Sequence, residues 1–273
     1  MTTDASDGGT DGWSSSGAGA LSAYAPGVAT SFARLVSIRP SGVHDELLEG
    51  PEVAAFADQF RVDVTGIDEQ LRAAFATVTG EQSFAVTQMV WIADVAPRVR
   101  AALDAVFGPS EEWAGRRRQP VTDTWAVIDD FMRSVARLDA LDVTTTELVR
   151  LRGARQHDCR ICKSRRSAAA IEAGADAVTF DSVDHYESSD LPAATKAALA
   201  LTDAMIWTPS AISEPVVAAV RDLLTPAQAV EVVLDVARNA ANKIAVALGA
   251  DAATVTDGVE LFVTDADGEL SVV

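Results

Sequence analysis

Two long apolar runs constrain this chain more than any other feature: SFAVTQMVWIADVAPRVRAALDAVFG, starting at Ser83, and TPAQAVEVVLDVARNAANKIAVALG, starting at Thr225. Their apolar residues recur three and four apart, the period of a helix, and both runs are far longer than a strand. The first carries Pro97, which predicts an interruption, and stops at Gly108–Pro109. The second opens on Thr225–Pro226, a cap followed by a proline at the first helical position. Helices this apolar must be buried against other helices, and the remaining sequence supplies them. PEVAAFADQFR from Pro51, IDEQLRAAFATV after Gly66, TWAVIDDFMRSVARL behind Asp123 and LPAATKAALALTDAMIW all carry the helical period. Thr144 and Glu147, three apart, have capping-box spacing before LVRLRGARQH. The patch from Val28 to Ile38 reads as a short docking helix. Only VELFVTDADGELSVV alternates like strand, about Asp265–Gly268, and predicts a small terminal hairpin. The expected fold class is therefore all-α with a small C-terminal β-hairpin.

Domain organisation follows from composition. Residues 1–25, rich in Gly, Ser, Thr and Asp, read as a disordered tail. Residues 26–108 form a helical unit without cysteine, 109–122 a charged linker, and 123–273 a second helical unit. Ala85, Val86, Ala93, Ala96 and Ala101 align with Ala229, Val230, Ala237, Ala240 and Ala245, which suggests two tandem repeats.

Net charge is −18, so phosphate backbones and anionic lipid surfaces are disfavoured as partners. No apolar run reaches membrane-spanning length, and the N-terminus lacks the basic and apolar regions of a signal peptide. A cytoplasmic protein is expected. Its two cysteines, three apart, then argue for catalysis or metal binding rather than a structural staple.

The pair lies in Glu147-Leu-Val-Arg-Leu-Arg-Gly-Ala-Arg-Gln-His-Asp-Cys159-Arg-Ile-Cys162-Lys-Ser-Arg-Arg166. Asp158 is a suitable N-cap, placing Cys159 in the first helical turn and Cys162 one turn on. That geometry permits a reversible disulfide and favours thiolate. Seven cations and one anion fall between Arg150 and Arg166, in a protein with 22 Lys and Arg against 40 Asp and Glu. Neighbouring cations lower a thiol pKa further. His157, Cys159 and Cys162 are also three potential zinc ligands, but a closed site wants four and no second Cys-x-x-Cys exists. No metal or cofactor is expected. Arg238, Asn239 and Asn242 are polar residues in the otherwise apolar last long helix; they face the pocket or belong to its exposed face, and the second is the preferred reading.

With Glu147 twelve positions before Cys159, the Cys-x-x-Cys spacing, and a Ser164–Gly174 run ending in Ala-Gly, the chain resembles the alkylhydroperoxidase D-like and carboxymuconolactone decarboxylase-like family. The resemblance covers roughly residues 120–250, and residues 50–108 look like a second, cysteine-free copy of the unit. It implies an all-α homo-oligomer that reduces an organic hydroperoxide or hydrogen peroxide, with a dithiol reductant, protein or lipoyl-type, restoring the pair. It further implies Cys162 as the peroxidatic nucleophile, Cys159 as the resolving thiol and Glu147 as the base of a proton relay. The family histidine four residues after the second cysteine is Arg166 here. An arginine cannot take a proton near neutrality but can stabilise a thiolate, and His157 is the nearest titratable substitute. Two other readings stand beside this one: a lyase of the decarboxylase type, and a redox-sensing oligomer.

Overall fold

Helix periodicity, caps and glycines lay out the elements in order. The computed structural model of the chain describes residues 11–113 and 119–273. Helices α1 (Gly17–Tyr24) and α2 (Pro26–Leu35) lead to a short strand β1 (Ile38–Pro40) and a single turn α3 (Asp45–Leu48). Then come α4 (Pro51–Val62), α5 (Glu69–Thr79) and the long α6 (Ser83–Phe107). Strand β2 (Gln119–Val121) precedes α7 (Thr124–Ala136) and α8 (Val143–Gln156). The cysteine segment forms α9 (Arg160–Lys163), β3 (Arg165–Ser167) and α10 (Ala168–Glu172), followed by α11 (Ala177–Asp181). The chain closes with α12 (Ala193–Trp207), α13 (Glu214–Leu223), α14 (Pro226–Asn239), α15 (Asn242–Ala247), β4 (Glu260–Thr264) and β5 (Leu270–Val272). The fold is all-α with small β elements, as the apolar period requires.

The two long runs form the centre together. α14 packs on α6, α7, α8 and α12, so helices from both expected units line one continuous core. Trp91, Val99, Leu103, Val232, Val233 and Leu234 are all fully buried in it. α6 is not interrupted at Pro97 but runs unbroken to Gly108, whose φ of 118° ends it. Burial of Val95, Ala96 and Val99 on either side holds the helix across the one backbone hydrogen bond that proline removes. The second run does divide, at Ala240–Ala241, where Ala240 caps α14 and α15 begins. Thr225 and Gln228 form a reciprocal capping box at its start.

Three other expectations change. Residues 11–25 are not a disordered tail: α1 is capped by Ser16 and buries Ala18, Ala20 and Leu21 against α6. Gly17 makes this possible, because a Cβ there would lie 2.4 Å from Asp104 Oδ1 and 2.9 Å from the backbone carbonyl carbon of Leu103. The small residues that look like linker composition permit close helix packing. The remainder of the expected tail, residues 1–10, lies outside the described residues, as do residues 114–118 of the expected linker. The linker's end is tied down, since β2 pairs in parallel with β1 at Ile38↔Gln119. Finally, α8 is capped by Asp142, whose Oδ1 accepts the Thr145 N–H at 2.9 Å, and not by Thr144. Glu147 is thereby freed from the cap.

The terminal hairpin is present, with Phe262↔Val272 in register, but it is part of a three-stranded sheet. β3, directly after the cysteines, joins β4 in parallel at Arg165↔Glu260. Short strands of this kind carry no alternation long enough to read. They bring the C-terminus over the cysteine segment. Among the described residues, no helix is long and apolar enough to cross a membrane.

Candidate active site

Cys159 and Cys162 sit at disulfide distance, with Cα atoms 5.3 Å apart. The local geometry differs from expectation by one residue. Asp158 adopts a left-handed conformation, φ 50°, and Cys159 rather than Asp158 is the N-cap of α9. Its sulfur accepts the Cys162 N–H at 3.3 Å. The other free amides at this end are taken by Asp251, whose Oδ2 accepts from Arg160 N and whose carbonyl accepts from Ile161 N, both at 2.9 Å. Burial opposes the Asp251 carboxylate, but these hydrogen bonds and the charge of Arg160 outweigh it and hold the carboxyl below its ordinary range. Ninety-one residues separate Asp251 from Arg160, so no local pattern could have marked it.

The two sulfurs differ in access. Cys159 is fully buried, whereas Cys162 is partly exposed and lines a cavity of about 460 Å³. Trp125, Met132, Ile161, Phe262 and Leu270 give the cavity apolar walls. Arg133, Arg150, Arg165 and Arg238 also line it, with Asp129 and Glu269. The polar residues of the last long helix therefore do not decorate an exposed face. Arg238 and Asn239 at the end of α14, and Asn242 at the start of α15, line the cysteine cavity.

Glu147 is buried beneath the cavity and bound on both oxygens. Oε2 accepts from Arg150 Nε at 2.6 Å, and Oε1 from Arg150 Nη2 at 2.8 Å and from Ser167 N at 3.2 Å. Arg150 in turn donates to the carbonyl oxygens of Cys162 at 3.0 Å and Arg165 at 2.8 Å. Glu147 thus fixes the arginine that shapes the cysteine loop, a bidentate arrangement with high geometric specificity.

His157 and Arg166 do not join the cysteine cavity. His157 is buried, with Nδ1 2.8 Å from Asn242 Oδ1, beside a small void bounded by Asp94, Arg98 and Lys243. Burial, helped by the charge of Lys243, pushes its pKa down to about 3, so it is neutral at physiological pH. Asn242 is the link, since it touches His157 and also lines the cysteine cavity. Arg166 donates to the carbonyl oxygens of Lys163 and Arg165, both at 2.8 Å, and lies 5.3 Å over the Phe180 ring. The cations that line the cavity with Cys162 are instead Arg133, Arg150, Arg165 and Arg238, and only Arg150 and Arg165 fall inside the basic stretch that marked the site.

Asp235 is a further group the sequence did not single out. It is fully enclosed on α14, one oxygen has no hydrogen-bond partner among the described residues, and burial raises its carboxyl to about 7.

These features define a helical protein with a Cys-x-x-Cys pair, one sulfur buried and one opening onto a cationic and apolar cavity. No protein-family model and no solved structure matches the chain. Two relatives from Mycobacterium tuberculosis do match it. They are "Uncharacterized protein Rv2313c" of strain ATCC 25618 / H37Rv and "Uncharacterized protein MT2376" of strain CDC 1551 / Oshkosh. Each is 43% identical over 224 residues, 80% of this chain and 78% of the relative. The chain belongs to the family of these mycobacterial proteins.

Proposed function

We propose that the protein is a thiol-dependent peroxide reductase of the alkylhydroperoxidase D-like type, working in the cytoplasm as a homo-oligomer. The observation that carries this reading is the difference in access within the pair. Cys162 meets the cavity and Cys159 is sealed behind it. The Cys162 thiolate attacks the terminal peroxide oxygen; an S–O bond forms, the O–O bond breaks, and the alkoxide leaves and takes a proton as the alcohol. Cys162 is then a sulfenic acid. The Cys159 thiol displaces its oxygen as water, forming the disulfide and completing the two-electron oxidation. A dithiol from outside attacks the accessible sulfur, is itself oxidised to a disulfide, and returns both cysteines to thiols.

Arg150, Arg165 and Arg238 line the same cavity as Cys162 and favour thiolate over thiol. This replaces the stabilising role assigned to Arg166, which turns to Phe180. Glu147 acts as a positioning residue through Arg150 and not as the proton-relay base, because both its oxygens are committed to hydrogen bonds. The reading is tested by adding an alkyl hydroperoxide to the reduced chain. Two thiols are lost per alcohol formed, and Cys162→Ser abolishes consumption. Consumption by Cys162→Ser at the parent rate refutes it.

A further inference from the structure

Every charged side chain lining the cysteine cavity has an ion-pair partner, except one. Arg150 is held by Glu147 in the bidentate pair, and Arg165 Nε lies 3.2 Å from Glu260 Oε2. Arg133 bridges Asp129 at 2.6 Å and Glu269 at 3.1 Å. Arg238 has neither a hydrogen bond nor an ion pair from its guanidinium to any described residue. Asp235, one turn before it on α14, forms no ion pair with it. An arginine stays charged under all ordinary conditions, and Arg238, half-buried on the cavity wall, leaves its guanidinium free to take an anion. The apolar part of the cavity that Arg238 lines is formed by Trp125, Met132, Ile161, Phe262 and Leu270. Its rim reaches the surface, where Trp125 and Leu270 are each 39% exposed.

We infer that this cavity binds a monocarboxylate with an apolar body, its carboxylate paired to Arg238 and its body lying along the Trp125–Phe262–Leu270 wall. A guanidinium presents two parallel N–H groups that match a carboxylate, and about 460 Å³ is the volume of a small-molecule site. The other acids of the cavity are already engaged by arginines, so the ligand supplies the missing anion. Building on the proposed peroxide reaction, the substrate class is the hydroperoxide of an apolar carboxylic acid, anchored by its acid end while the peroxide meets Cys162. The alternative role for Arg238, pairing with the Cys162 thiolate alone, predicts no carboxylate binding when the sulfurs are joined.

The test is calorimetric titration of the full chain, disulfide intact, with octanoate and with octanamide, its uncharged counterpart. Octanoate is expected to bind at least tenfold more tightly than octanamide. Arg238→Gln should weaken octanoate at least tenfold and leave octanamide within twofold. Trp125→Ala, at a position 39% exposed, should weaken both ligands together. Equal binding of acid and amide, no binding of either, or unchanged octanoate affinity in Arg238→Gln overturns the inference. Should Arg238→Gln not fold, the acid–amide ratio on the parent chain and the Trp125→Ala response decide it. Peroxide turnover does not enter this measurement. A Cys162 that is inert toward peroxides, with octanoate still following Arg238, sinks the proposed reaction and leaves the binding site standing.

Discussion

Replacing Glu147 with glutamine separates a positioning role from a catalytic base. The Glu147 side chain is 1% exposed and Arg150 13%, and three hydrogen bonds converge on the carboxylate. In Glu147→Gln the amide nitrogen is turned against the guanidinium, one donor facing another, and the arginine charge is left without its partner. Removing one member of a buried pair costs about 3–5 kcal/mol. For a chain of this size that corresponds to a fall in Tm of roughly 6–20 °C. Urea unfolding at pH 7, with the cysteines held reduced, measures it directly. Arg150 without Glu147 is a stronger cation toward Cys162, so the thiol pKa read by pH-dependent alkylation should stay level or fall. Parent-like stability, together with loss of the acidic limb of the peroxide rate profile, would refute the positioning role and restore Glu147 as the base.

Substitutions at three other positions probe the site's surroundings. Asp235 is raised to about 7 in the fold against about 4 when unfolded. The native state therefore holds its proton longer, and stability is lost as pH rises from 4 to 7. Asp235→Asn should stabilise the protein by up to about 4 kcal/mol at pH 8 and by little at pH 4, by urea unfolding. His157 is shifted the other way, to about 3. The unfolded chain takes up a proton below about pH 6.5 that the native chain refuses, so stability falls by about 2 kcal/mol between pH 7 and 5. His157→Gln, which keeps a partner for Asn242, should flatten that slope, as chemical denaturation at the two pH values would show. Asp158 sits at φ 50°, where glycine is unstrained and a β-branched residue is not. Asp158→Gly should leave the melting temperature nearly unchanged, whereas Asp158→Val should cost about 1–2 kcal/mol.

The helices were legible because apolar residues in α6, α12 and α14 recur at the helical period and because Asp123 and Thr225 stand where caps are needed. α1 was not, since Gly17, Ala18 and Ala20 are small for close packing, and small residues alone look like linker. The cysteine pair and its basic neighbourhood were legible as spacing and charge. Which cation faces Cys162 was not. Arg165 and Arg166 are adjacent in β3, and only the pairing of that strand with β4 decides that Arg165 meets Glu260 while Arg166 turns to Phe180. Arg238, on α14, and Asp251, in the loop beyond α15, reach the site from about 80 to 90 residues away along the chain. Nothing local distinguishes them from solvent-facing residues.

The central claim is a direction of reaction, Cys162 attacking and Cys159 resolving. Treating Cys159→Ser with one equivalent of an alkyl hydroperoxide, trapping with a sulfenic-acid reagent and mapping the adduct by mass spectrometry tests it most directly. The adduct is predicted on Cys162, with one alcohol formed per chain, and Cys162→Ser should yield none. An adduct on Cys159 in the Cys162→Ser chain, or an unmodified Cys162 with the peroxide intact, would contradict it.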